Sequence, residues 1–311
     1  MDACTDNPKL VDVADLGQGL IYHGEELQSG GTTYSDQQFV RSQPGFVLFN
    51  RGLQLHQLPN RYWMNLDPEV IRRAVSGTTV GTPQVLLNYA PASRGPWRLK
   101  ALIDNHGHPI TSNFMSVRPT NFSYSTQILW ALLKSPFANA YAFSHLGKRH
   151  NIVGVLRNFP IPKISAFEGA ERAANAYLVG CETEADPEKL RMLLLNVDSE
   201  VLKLYSLPLE LEQRLLGLFS NWERVGVPFK QTAYLPKALE GKLHFSDFLQ
   251  FEKDWSVTNR ERGELIGENI SGKLTVEERT RLDCLQTYAD YHFQRLSHAT
   301  CTSSMSLRGG S

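Results

Sequence analysis

Acidic residues are nearly missing from one long stretch of this 311-residue chain. Between Gln37 and Lys163 only Asp67, Glu69 and Asp104 are acidic, against 14 Lys and Arg, which puts +11 there in a chain of zero formal net charge. The remainder carries 18 basic and 29 acidic side chains, or −11. Charge that served solubility alone would be mixed in sign, because a one-sign field repels itself. A stretch this basic and this rich in Arg implies a polyanionic partner, since the guanidinium fork fits both phosphate oxygens and the guanine edge. A solvated basic face without a partner is the alternative.

Long apolar runs are missing too. The longest aliphatic and aromatic run is Ile128–Leu133, far short of the roughly 20 residues of a membrane span. The opening MDACTDNPKL has neither the basic nor the apolar region of a signal peptide. The expectation is a cytoplasmic protein with no membrane partner. The four cysteines (Cys4, Cys181, Cys284, Cys301) form no C-x-x-C pair, which argues against a disulfide framework or a zinc ribbon. Catalytic phrases are equally scarce, with no G-x-S-x-G elbow, H-E-x-x-H helix or Walker loop. DLGQGL (15–20) holds a lone G-x-G, but the IYHGEELQSGG that follows does not read as the helix a cofactor loop opens. Asp104, His106 and His108 in LIDNHGHP are capable metal ligands. A turn rich in Asp, Asn, Gly and His is also an ordinary structural object.

What is present divides into parts. Residues 1–163 read as a basic, mixed α+β domain: short β-prone stretches such as GFVLF (45–49), QVLLNYA (84–90) and WRLKALI (97–103) are separated by Gly, Pro and Asn. WRLKALI and PITSNFMSV flank DNHGH, which predicts a hairpin bending at Asp104–Gly107. The period then changes. Ile128, Leu129, Leu132, Leu133, Phe137 and Tyr141 recur at helical spacing, with Ser125 or Thr126 as cap and Pro136 kinking or dividing the helix. Residues 164–238 read as an acidic helical region, with Asp198 expected as an N-cap and Pro208 in a first turn. Residues 239–298 read as a helical hairpin, broken at Gly272 and restarted by a Thr275/Glu278 capping box, and 299–311 as a disordered tail.

The segment SYSTQILWALLKSPFANAYAFSHLGKRHNIVGVLRNFPIP resembles the end of the target recognition domain in bacterial DNA adenine-N6 methyltransferases and in type I restriction-modification specificity subunits. The resemblance is carried by Leu132, Leu133, Ser135, Pro136, Gly147, Arg149, Asn151, Ile152, Ile161 and Pro162. LGQGLIYHG, LQLHQLP and LLNYAPASRGPWRLKALIDNHGHPIT look like the front of the same domain, and NVDSEVLKLYSLPLELEQRLLGLF like the helical segment after it, so that roughly 10–236 is covered. The chain lacks the Gly-rich S-adenosylmethionine loop and the Asn/Asp-Pro-Pro-aromatic phrase of the enzymes; DNPKL (6–10) has a single proline and no aromatic.

The resemblance therefore implies a non-catalytic subunit that recognises double-stranded DNA for a separate adenine-N6 methyltransferase, in restriction-modification or phage defence. No cofactor is expected in this chain, with S-adenosylmethionine on the partner. Arg94, Arg98 and Lys100 in SRGPWRLK, and Lys148, Arg149, His150 and Asn151, are the first candidates for DNA contact, followed by Arg72, Arg73 and Arg118. The basic turn at 148–151 is open to a second reading, in which its Asn only satisfies backbone groups. Trp97 reads as core, with stacking on a base as the alternative, and Trp130 reads as core on the helical apolar pattern. A protein-interaction module with a basic face, and a metal-dependent nuclease using Asp104, His106 and His108, are the competing functions.

Overall fold

A computed structural model describes residues 6–24, 33–34, 41–121, 123–147, 150–163, 167–184 and 186–306, with backbone alone at 33–34 and 296–306. The fold is mixed α+β, with helices gathered in the C-terminal half. The chain divides into two compact units. Met1–Leu207 and Leu215–Thr232 form the first; Pro208–Arg214 and Ala233–Ser311 form the second.

The first unit is built on a four-stranded antiparallel sheet with the order β1 (Ala14–Gln18), β9 (Phe114–Pro119), β7 (Gln84–Asn88), β8 (Ala101–Asp104). All five residues of β7 are buried. Alternate side chains of a strand face opposite ways, and here both faces are covered. Val85 and Leu87 join the main core with Ala101, Met115 and Val117. Leu86 joins a smaller one with Phe46, Leu102, Ile110 and Phe114. A small sheet orders β3 (Thr33–Tyr34), β5 (Arg61–Asn65) and β4 (Ser42–Phe46), and β2 (Ile21–Tyr22) pairs with β6 (Ile71–Arg73).

The expected hairpin is not formed. β8 pairs with β7, as Leu86↔Leu102 shows, and β9 pairs with the other edge of β7 through Val85↔Val117. The bend at Asp104–Gly107 exists, but it carries the chain past β7 instead of back along β8. Turn chemistry is local and was readable; the pairing of the strands around it is not local. The G-x-G of DLGQGL also has a packing reason. A Cβ on Gly17 would lie 1.6 Å from Ser76 Oγ, and one on Gly19 2.0 Å from the Thr111 carbonyl oxygen.

Pro136 divides the predicted helix in two. α2 (Thr126–Lys134) ends and α3 (Pro136–Leu146) begins at Ser135, whose hydroxyl accepts from Ala138 N, while Ser125 caps α2 by accepting from Ile128 N. Every residue of α2 except Gln127 is buried. A helix apolar all round must be covered on more than one side. β7, β8 and β9 cover one side, and α5 (Glu168–Thr183) and α6 (Pro187–Tyr205) supply further cover. The short helices α1 (Leu10–Val13) and α4 (Val153–Leu156) complete the unit.

Two sequence expectations change here. The boundary at 163/164 does not separate cores, since Tyr177, Leu194 and Val197 share one cluster with Leu16 and Val85. Asp198 is not a cap. α6 is capped by Asp186 ahead of Pro187, and Asp198 lies inside the helix, fully buried, where it accepts from Lys134 Nζ at 2.8 Å and pairs with Arg224. Arg224 also lies 4.5 Å over the Trp97 ring, which packs 4.2 Å from Phe219; Trp97 and Trp130 are both core, as expected.

α7 (Leu209–Gly217) follows, and the second unit adds three helices where two were predicted: α8 (Phe245–Lys253), α9 (Trp255–Ile270) and α10 (Val276–Ser306). Asp254 stands between the first two and caps α9 by accepting from Val257 N at 3.1 Å. Gly272, at φ +68, breaks the path, and the Thr275/Glu278 box restarts it with bonds of 2.8 and 3.2 Å. Phe248, Phe251 and Trp255 pack around Tyr288, whose hydroxyl donates to Glu252 at 2.7 Å. α10 continues to Ser306, through most of the stretch expected as a tail. No helix among the described residues is long and apolar enough to cross a membrane.

Candidate nucleic-acid interface

The candidate cations separate by burial. Arg72 and Arg73 on β6 and Arg94 in the loop after β7 are exposed, and Arg73 donates to Gln18 Oε1 at 2.8 Å. His150 is exposed against the Tyr89 ring at 4.7 Å. Lys148 and Arg149 lie outside the described residues.

Four of the candidates are buried, which corrects their reading as surface contacts. Arg98 is 2% exposed and its guanidinium donates to the Gly147 carbonyl at the end of α3. A cation there also meets the negative end of the helix dipole. Lys100 is 1% exposed, donates to the carbonyls of Arg51 (2.6 Å) and Leu53 (2.5 Å), and has its stem beside Gly226. Arg118 donates to the Ser76 carbonyl (2.9 Å) and to Gln84 Oε1 (2.8 Å). Asn151 is buried and ties the turn after α3 to the end of β7, its backbone N–H donating to Tyr89 O and its amide to Asn88 O, each at 2.9 Å. This is the backbone-satisfying role the sequence left open for the Asn of that turn. Sequence supplies charge but not burial, and long cationic stems are easily read as surface.

The buried cations bear on pH. Burial lowers the Lys100 ammonium from 10.5 to about 8. Above about pH 8 the unfolded chain holds this proton while the folded chain releases it, so stability rises with pH until both states are neutral near 10.5. Lys134, lowered by burial to about 7, adds a rise of the same sign. Lys100→Met is therefore expected to flatten, without removing, the increase of the urea midpoint across this range. A slope equal to that of the parent would show that Lys100 titrates alike in both states.

The nuclease reading loses its metal ligand. Asp104 is fully buried, and both its carboxylate oxygens are taken. One accepts from His106 N, Gly107 N and His108 Nδ1 (3.2, 3.2 and 2.8 Å), the other from Gln84 Nε2 and His108 N (2.9 and 2.6 Å). Among the described residues no group of three His, Cys, Asp or Glu side chains is disposed to hold a metal.

The exposed cations of this basic stretch that sequence reasoning did not single out are, among the described residues, Arg41, Arg51, Arg61, Arg157 and Lys163. Arg61 lines a groove of about 620 Å³ with Tyr62, Trp63, Pro44 and Pro59. Arg51 lines two clefts, one of about 460 Å³ with Arg94 and Arg98 and one of about 200 Å³ with Phe49 and Lys100. Each stands alone in its local sequence, so no motif flags it; only the depletion of acids over 37–163 points to the set. Among the described residues, none of Arg41, Arg51, Arg61, Arg72, Arg73 and Arg94 forms an ion pair. Comparison with known proteins returns no match, either to a family model or to a curated protein.

Proposed function

We propose that this chain is a DNA-recognition subunit that positions double-stranded DNA for a separate adenine-N6 methyltransferase in a bacterial restriction-modification or phage-defence system. The observation that carries the reading is the set of exposed arginines in the basic part of the first unit, which no acid among the described residues neutralises. Surface cations left unpaired are free to displace counterions from a phosphate backbone. The resemblance of 123–162 to target recognition domains supports the same assignment. Methyl transfer, S-adenosylmethionine and extraction of the adenine from the stack belong in this reading to the partner, and a cytoplasmic location goes with it.

The test is fluorescence anisotropy of the full chain with a duplex of about 30 base pairs over a salt series. Binding should weaken linearly in log–log form, and Arg72→Gln with Arg73→Gln should lower the slope by about 0.9 for each phosphate no longer neutralised. Absence of binding at low salt would overturn the proposal. Retained binding with an unchanged slope in the double variant would remove β6 from the interface.

A further inference from the structure

The two clefts that Arg51 lines adjoin, since Pro91 and Ala92 line both. The larger, about 460 Å³, brings Arg51 to Arg94 and Arg98, which lie four residues apart in SRGPWRLK. The smaller, about 200 Å³, has Phe49, Asn50, Asn113 and the buried Lys100 in its wall. No carboxylate stands among the described lining residues of either cleft. The Lys100 ammonium meets two neutral carbonyls.

We propose that these adjoining clefts bind a phosphomonoester of mononucleotide size, with its phosphate at the exposed Arg51 and Arg94 and its organic part in the smaller cleft against Phe49. Two exposed guanidinium groups match a phosphate dianion by charge and by their paired N–H geometry, while Arg98, 2% exposed and bonded to the Gly147 carbonyl, stands in the wall. The smaller cleft has the character of a planar heterocycle site. It offers one aromatic face, the amides of Asn50 and Asn113, and a lysine that is cationic below about pH 8. A rigid duplex is far too large to enter this space, so the ligand is a small molecule. The inference therefore stands apart from the DNA reading and does not require it.

The experiment is isothermal titration calorimetry of the full chain with adenosine 5′-monophosphate and with inorganic phosphate, at matched ionic strength. Saturable 1:1 binding of the nucleotide, tighter than that of phosphate, is expected. Arg51→Gln with Arg94→Gln should weaken both by about tenfold or more, whereas Phe49→Ala should weaken the nucleotide alone. Arg51 and Arg94 are exposed, so their loss leaves the core intact. No saturable heat from either probe up to about 10 mM, equal binding of nucleotide and phosphate, or undiminished binding in the double arginine variant would each overturn the proposal. Duplex binding by the parent chain, measured beside it, shows whether a failure here leaves DNA recognition standing.

Discussion

Asp198→Ala is expected to lower the unfolding free energy of the first unit by about 3–5 kcal/mol, read from urea or thermal unfolding. Asp198 is bonded to two buried cations, Lys134 and Arg224, each no more than 1% exposed at the side chain. Burial alone would raise its pKa, but Arg224 and Lys134 outweigh burial and hold the carboxyl below its usual range. Removing it takes this counter-charge from both cations at once, and a domain whose total stability is about 5–15 kcal/mol has little margin for that. Lys134→Met separates charge from bonding. It leaves a one-to-one Asp198–Arg224 pair and an apolar stem beside Trp130, so it should cost much less than Asp198→Ala. Equal losses in the two variants, or a loss below about 1 kcal/mol in Asp198→Ala, would contradict this account.

Asp104→Ala should be comparably damaging, by about 3–5 kcal/mol. The buried carboxylate gathers three successive backbone N–H groups, the Gln84 amide and the His108 ring around itself. Its loss leaves the buried Gln84 amide and the Gly107 and His108 N–H groups without this acceptor. It also removes one of the two acids, with Asp15, that oppose the effect of burial on Arg118. Asp104→Asn is not conservative here. Both oxygens receive donors, so an amide must set its own N–H groups against one set of them. Unfolding by circular dichroism should therefore place Asn close to Ala, and a near-parental midpoint for Asn would show that charge and geometry matter less than these five bonds suggest.

These two aspartates mark where the sequence was readable. Asp104 sits in a turn whose Asp, Asn and Gly announce it, and the turn is there. The strand pairing around it was misread because β7 intervenes from earlier in the chain, and nothing within DNHGH records that. Asp198 looked like a cap because Asp before an apolar run commonly is one. Its true partners lie 64 and 26 residues away. The cap at Ser125 or Thr126, the division at Pro136, Gly272 and the Thr275/Glu278 box were legible because each acts within one helical turn; the Ser135 cap was not read. The basic surplus was legible as a sum. Its division into buried Arg98, Lys100 and Arg118 and exposed Arg51, Arg72 and Arg94 depends on how distant loops close over the sheet.

The first unit is discontinuous in sequence, because Leu215–Thr232 returns to it after Pro208–Arg214 has joined the second. That return brings Arg224 to Asp198, Phe219 to Trp97, and the Gly226 carbonyl to Leu55 N at 2.8 Å. During synthesis, therefore, a ribosome that has released residue 207 has not yet released the whole of the first unit. Until some 25 further residues have emerged, Asp198 lacks Arg224 and the indole of Trp97 lacks the ring of Phe219.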